Sequence, residues 1–243
     1  MTTADVLVVA AVIAASAVVQ LAAGFGFALA SVPLLSIVLD PHRAVIVALA
    51  LAAFTNGYQA TTGRRHTDRP VVARLLAGAA LGLPVGLLVY RWADETVLGV
   101  LVGLAVLGAV FVVVRGIDLR HAGPGLDVAA GAVSGALTTS VGTNGPPLVF
   151  VLQARHFDQD RFRATITSTF FVLDVVSVTV FALTGEIDRE VLIAIAASMP
   201  GLAVGASIGI SLRRHLDAER FRRLVLVVLV VAGLSSIASA LLR

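Results

Sequence analysis

Eight stretches almost free of charge make up 179 of the 243 residues of this chain, at 6–39, 44–63, 75–90, 96–114, 128–154, 164–185, 191–212 and 224–242. A helix that crosses a bilayer needs about 20 predominantly apolar residues. Most of the chain therefore lies in or across a membrane, and the expected fold class is all-α and polytopic. With 58% hydrophobic and 14% charged residues, a soluble globule would lack the polar surface to cover itself.

Composition also excludes chemistry. The chain has no cysteine, which removes disulfides, iron–sulfur clusters, thiolate metal sites and any thiol relay. His42, His66, His121, His156 and His215 all fall outside the apolar stretches, so no imidazole reaches membrane depth. Neither a cofactor nor a metal is expected. The basic residues are 18 arginines, set against 15 acids. With so little chain outside the bilayer, that excess points to the membrane surface rather than to nucleic acid. The first residues carry no basic segment, so the first stretch does not read as a cleavable signal peptide.

Six stretches have the length of single transmembrane helices. The other two do not. A single helix over 6–39 would be ~51 Å long at 1.5 Å per residue, too long for one crossing of a ~30 Å core and short of two. Its interior holds Gln20, Gly24, Gly26 and Pro33, which predicts a helix, a break near 23–27 and a second arm. The stretch at 128–154 has a stronger break at 138–147, with Thr138, Thr139, Ser140, Gly142, Thr143, Asn144, Gly145, Pro146 and Pro147.

These two broken segments recur at half the chain length. Gly24 and Gly142 are 118 residues apart, Arg43-Ala44 and Arg163-Ala164 are 120 apart, and Gly82 to Gly86 and Gly201 to Gly205 are 119 apart. The chain reads as a duplicated unit, residues 1–122 and 123–243 in one integrated membrane domain, each a broken or re-entrant hairpin followed by three transmembrane helices. If each broken segment crosses once, the arginines divide 8 to 10 between the faces; if each returns to its starting face, they divide 4 to 14. The positive-inside rule selects the second arrangement. The arginine-rich face is then cytoplasmic, both termini are extracytoplasmic, and the repeats are inverted. Arm lengths favour hairpins dipping from opposite faces towards the midplane.

In that arrangement Gln20, Gly24, Phe25, Gly26 and Phe27 face Thr138, Thr139, Gly142, Thr143, Asn144, Gly145 and Pro146 across a shared region. Irregular backbone at such depth is tolerated only against protein or a wet cavity. Each second arm begins at its tip and points a helix N-terminus into the region, where N–H groups and the dipole favour an anion. Asn144 or Thr143 is expected to cap the second arm, with Pro147 in its first turn. These residues form the candidate substrate-binding set. Gly82, Gly86, Gly201 and Gly205 read instead as close helix packing.

Asp174 is the one carboxylate well inside a stretch, and an intramembrane carboxyl is a functional candidate by default. Desolvation favours its protonated form, so it is the candidate proton-coupling residue; the competing expectation is a permanently neutral acid bonded to Ser177 or to a neighbouring hydroxyl. Ser168 or Thr169 is expected to share its cavity. Asn56, Tyr58 and Gln59 are expected to line an inner vestibule or mark the interface, and the arginine clusters to set topology, with concentration of anions at the cytoplasmic mouth as the alternative.

The segment Ala23-Gly-Phe-Gly-Phe-Ala-Leu-Ala-Ser-Val-Pro-Leu-Leu35 with Pro41 to Ala44, and its partner from Ser134 to Pro147 with Arg163-Ala-Thr165, resemble the TauE/SafE sulfite exporter family. Phe27 and Ala28 stand where that family usually has further glycines. The resemblance implies a bacterial inner-membrane, multi-pass protein that moves sulfite or related small organic anions. The expected function is a secondary transporter, an exporter, of small anions such as sulfite or short organosulfonates, held between the two tips. The alternatives are a membrane scaffold without transport activity and an anion channel. An enzyme is not expected, since no nucleophile–base or paired-carboxylate constellation lies within the apolar stretches. The expected partners are the anion and the lipid bilayer; a homo-oligomer is compatible with the sequence.

Overall fold

The computed structural model describes residues 3–23, 25–94, 96–97, 100–101, 103–104, 107–108, 111, 123–155, 157–212, 227, 230, 234 and 237–238. The stretches at 96–114 and 224–242, the arginines at 213–223 and Gly24 therefore lie wholly or largely outside the described residues. What is described is all-helical: α1 (Thr3–Ala23), α2 (Phe27–Leu35), α3 (Pro41–Gly63), α4 (Arg69–Trp92), α5 (Gly125–Val141), α6 (Gly145–Ala154), α7 (Gln159–Leu183) and α8 (Arg189–Leu212).

Local chemistry sets these boundaries. An aspartate accepts an N–H from three residues further on at the start of each of α3, α4, α7 and α8: Asp40 from Arg43, Asp68 from Val71, Asp158 from Arg161 and Asp188 from Val191, at 2.8–3.2 Å. Each thus satisfies one of the four orphan donors of a helix N-terminus. Asp40 and Asp158 are 118 residues apart and Asp68 and Asp188 are 120 apart, the spacing already seen in the motifs. The helix starts recur likewise, at 27 and 145, 41 and 159, and 69 and 189.

Both long stretches are broken where the glycines stand. Gly26 has φ 102° and Gly142 φ 72°, left-handed conformations that glycine adopts without a Cβ penalty. The arms are unequal. The first arms, α1 and α5, have 21 and 17 residues, ~32 and ~26 Å, whereas α2 and α6 have 9 and 10, ~14–15 Å. Five described helices are long and apolar enough to cross a membrane, at Asp5–Ala22, Pro41–Gly63, Arg69–Trp92, Gln159–Leu183 and Arg189–Leu212. By length and composition the first arm of the first hairpin is thus among the helices able to span.

The helices pack by exchange. α1 lies along α8, α5 along α4, and α3 along α7, while each short arm sits between its own first arm and the following helix. The two long seams are made by glycine. A Cβ on Gly82 would lie 1.9 Å from the Ala132 carbonyl oxygen and one on Gly78 1.9 Å from that of Val128; on the other seam a Cβ on Gly205 would lie 2.1 Å from the oxygen of Ala14. Hydrocarbon supplies no hydrophobic drive between helices, so close backbone approach with Cα–H···O contacts holds them instead. Leu81, Val85, Leu183, Leu192, Val204 and Ile208 point outward and exposed, an apolar exterior suited to lipid.

The ends of the bundle differ. At one, Arg43 bridges Asp40 (3.1 Å), Asp188 (2.7 Å) and Glu190 (2.8 Å), and Arg91 meets Glu186 at 3.1 Å. At the other, Arg161 pairs with Asp68, and the buried Asp127 binds Arg74 (2.7 Å) and Arg155 (2.9 Å). Burial pushes the Asp68 carboxyl up, but the Arg161 guanidinium and the Val71 N–H outweigh it and hold the group below the ordinary carboxylate range. A carboxyl depressed in the folded state stabilises above its unfolded value and loses that contribution as pH falls through the folded one. Unfolding in detergent is therefore expected to show a small loss of stability as pH falls through and below the ordinary carboxylate range, under about 1 kcal/mol because Arg161 is half exposed. Asp68→Asn should remove this pH-dependent part; an unchanged pH profile in that variant would refute the assignment.

Candidate functional site

The tips are joined by one chain of hydrogen bonds. The backbone N–H of Phe27, the first of α2, donates to Gln20 Oε1 at 3.0 Å. Gln20 Nε2 donates to Asn56 Oδ1 at 2.6 Å, and Asn56 Nδ2 donates to Asp174 Oδ2 at 2.7 Å. From the other side, Asn144 Nδ2 donates to Asp174 Oδ1 at 2.9 Å. Each amide uses its oxygen or nitrogen in the only sense that satisfies its neighbours, so the direction of every bond follows from the two fixed ends, a backbone donor and a carboxyl acceptor. Gln20, Asn56 and Asp174 are 1%, 2% and 0% exposed. A buried polar chain this complete avoids the cost of unpaired groups at depth.

Asp174 is thus held by two amide donors, with no cation among its described hydrogen-bond partners. The expected bond to Ser177 is not formed: the Ser177 hydroxyl is buried without a partner among the described residues. Ser168 and Thr169 do not share the cavity either; Ser168 meets Thr67 at 3.2 Å and Thr169 bonds back to the Thr165 carbonyl at 2.9 Å.

Between the tips lies a cavity of about 10 Å³ lined by Gln20, Gly26, Phe27, Asn56, Asn144 and Gly145 among others. That is room for about one water. Of the residues expected here, Gln20, Gly26, Phe27, Asn144 and Gly145 converge on it, and Asp174 stands behind the two asparagines. The others do not. Phe25 turns away and meets the Phe162 ring edge-on at 6.4 Å. Thr138 bonds back to Ser134 and Thr139 to the Leu83 carbonyl of α4, so both hydroxyls serve helix packing. Gly142 makes the turn and sits against Val32 and Val45. Thr143 is fully buried with its hydroxyl unpaired, and Pro146 is the second residue of α6. The Asn144 amide N–H is directed to Asp174, and Gln20 rather than a neighbouring side chain satisfies the first N–H of α2.

Asn56 was expected in a vestibule or at the interface, yet it sits in the network. A sequence signal for this existed: Asn56 and Asp174 are 118 residues apart, the same offset as Gly24 and Gly142, so they occupy equivalent positions in the duplicated unit. Gln59 lines a separate cavity, whereas Tyr58 is half exposed.

The sulfite exporter TauE/SafE family matches residues 8–236. The chain belongs to this family. It is therefore a multi-pass membrane transporter rather than an enzyme. The probable sulfite/organosulfonate exporter TauE of Cupriavidus necator is 25% identical over 232 residues, covering 93% of this chain and 91% of that relative. The probable inner membrane transporter protein TsaS of Comamonas testosteroni is 28% identical over 167 residues, covering 68% of this chain and 70% of its own length. No solved structure matches the chain significantly.

Proposed function

We propose that this member of the family is a secondary transporter that exports small anions, sulfite or short organosulfonates, across the bacterial inner membrane, and that it binds them between the hairpin tips with proton coupling at Asp174. The observation that carries the reading is the hydrogen-bonded chain from Phe27 through Gln20, Asn56 and Asp174 to Asn144, wrapped around a cavity at the junction of two helix N-termini. The N-termini of α2 and α6 offer partial positive charge and backbone donors to an oxyanion.

Asp174 gives the coupling its physical basis. An anion bound beside an ionised carboxyl in a low-dielectric interior is strongly repelled, so the anion enters best when Asp174 carries a proton. Proton and anion then travel together, and accumulation of the anion in the cytoplasm drives export. A cavity the size of a water cannot hold a sulfonate, so binding requires the tips to part, as alternating access demands.

The exchange of helix partners between halves supports two inverted repeats, 1–122 and 123–243, with the arginine-rich face cytoplasmic and the termini outside. The ion pairs around Arg43 close the opposite end.

The direct test is counterflow in proteoliposomes. Vesicles loaded with sulfite should take up labelled sulfite saturably, which separates a carrier from a channel and from a scaffold. Asn144→Ala removes an amide that lines the tip cavity and donates to Asp174, and is expected to lower that uptake about tenfold or more. Undiminished uptake in a folded Asn144→Ala protein would remove the tip of the second hairpin from the mechanism.

A further inference from the structure

A second cavity, of about 230 Å³, opens between α3 and α7 at the end of the molecule that carries Arg64, Arg65 and Arg161. Its rim is formed by exposed Thr62, His66 and Asp160, and its depth by Gln59 and Thr167, 8% and 0% exposed; Arg163 stands in the wall. Its floor lies within two helical turns of the tip network along the chain. Gln59 lies one turn from Asn56 on the same face of α3, and Thr167 two turns from Asp174 on α7. The Arg163 Nη2 donates at 3.2 Å to the carbonyl of Ala22, the residue two before Gly24.

One group in the cavity lacks what folding normally supplies. Gln59 Nε2 is buried with no hydrogen-bond partner among the described residues, although most buried side-chain polar atoms are paired. A leucine there would fill similar space without the penalty. A donor kept unpaired at the floor of a polar, arginine-walled funnel is matched to an acceptor that comes and goes.

We infer that this cavity is a second anion site, a vestibule that holds a small oxyanion or sulfonate on the arginine-rich side before it passes between the tips, with Gln59 Nε2 and the Arg163 guanidinium as its donors. Asp160 is the one carboxylate among the lining residues and stands at the rim, where it opposes weak or non-specific anion binding. The inference rests on the reading that the chain carries small anions, but it concerns residues outside the tip network.

The test uses the full chain in detergent and sulfite as the probe, with affinity read by calorimetry. Gln59→Leu removes an unpaired donor, so its unfolding temperature should equal or exceed that of the wild type, while sulfite binds about tenfold more weakly. Arg163→Gln should weaken binding to a similar degree, and where it does not fold, Gln59→Leu decides alone. A Gln59→Leu protein that unfolds like the wild type and binds sulfite with unchanged affinity overturns the vestibule. Two further outcomes separate this inference from the transport reading. Loss of flux in Asn144→Ala, with binding and flux untouched in Gln59→Leu, leaves the tip site standing and sinks the vestibule. Gln59-dependent sulfite binding in a protein that moves no anion across vesicles does the reverse.

Discussion

Asp174→Asn is expected to uncouple anion movement from the pH gradient. Methanesulfonate is the suitable probe, because it stays ionised across the working pH range and any pH dependence must come from the protein. In the native chain the proposed cycle moves a proton with each anion, so uptake of a monovalent sulfonate is electroneutral and an imposed pH gradient drives accumulation. Asparagine keeps the size of the side chain, removes the charge that repels the anion and cannot exchange a proton. Flux should then lose its pH dependence, and transport should become electrogenic, responding to a potassium-diffusion potential where the native protein does not. The same substitution has a structural cost. Asp174 accepts from both Asn56 and Asn144, whereas asparagine offers one oxygen, and Asn56 cannot turn round because its own oxygen holds Gln20. One buried donor is left unpaired, which costs about 1–3 kcal/mol. Accumulation of methanesulfonate against its gradient in Asp174→Asn vesicles, driven by pH as in the native protein, would discard Asp174 as the coupling group.

The second large effect concerns the seams. Gly82→Val and Gly205→Val are each expected to disrupt assembly of the fold. Even a single Cβ would lie 1.9 Å from the Ala132 oxygen in the first case and 2.1 Å from the Ala14 oxygen in the second. The obstacle is backbone, so no side-chain rotation relieves it, and one helix must move off the other. Overpacking of a closely fitted interface costs about 1–3 kcal/mol and sometimes more; for valine in a seam where alanine already collides, the upper end or beyond is expected. Gly125→Ala is the matching control, because nothing lies within 4 Å of the Cβ it would add. Thermal unfolding in detergent reads all three. Native-like unfolding of either valine variant would contradict the seam as described.

Much of this molecule follows from spacing. The hairpin breaks fall where glycine interrupts an apolar stretch of the wrong length, and the structure turns at Gly26 and Gly142. The duplicated offset anticipates the recurrence of helix starts and of aspartate caps. What was not legible is which side chain meets which. Thr138 and Thr139 sit in the most polar stretch of the chain, yet their hydroxyls are used by neighbouring carbonyls, because a hydroxyl on a buried helix satisfies itself on the preceding turn or the next helix more cheaply than it serves a ligand. Asn56 lies seven residues from the end of its helix and therefore read as near the surface. The packing of α3 along α7 places it in the interior against Asp174, its counterpart at the duplicated offset, a pairing the spacing alone could have suggested.

The glycine seams also say which parts of the molecule can move as bodies. α1 is zipped to α8 and α5 to α4, so the long arm of each hairpin is fastened to the other half of the chain. A motion that parted residues 1–122 from 123–243 would tear both zips at once. The mechanical units are therefore two chimaeras, each built from one half's long arm and the other half's last described helix. The short arms α2 and α6 lie on neither seam: each packs between its own long arm and the helix that follows, so it belongs to neither zip.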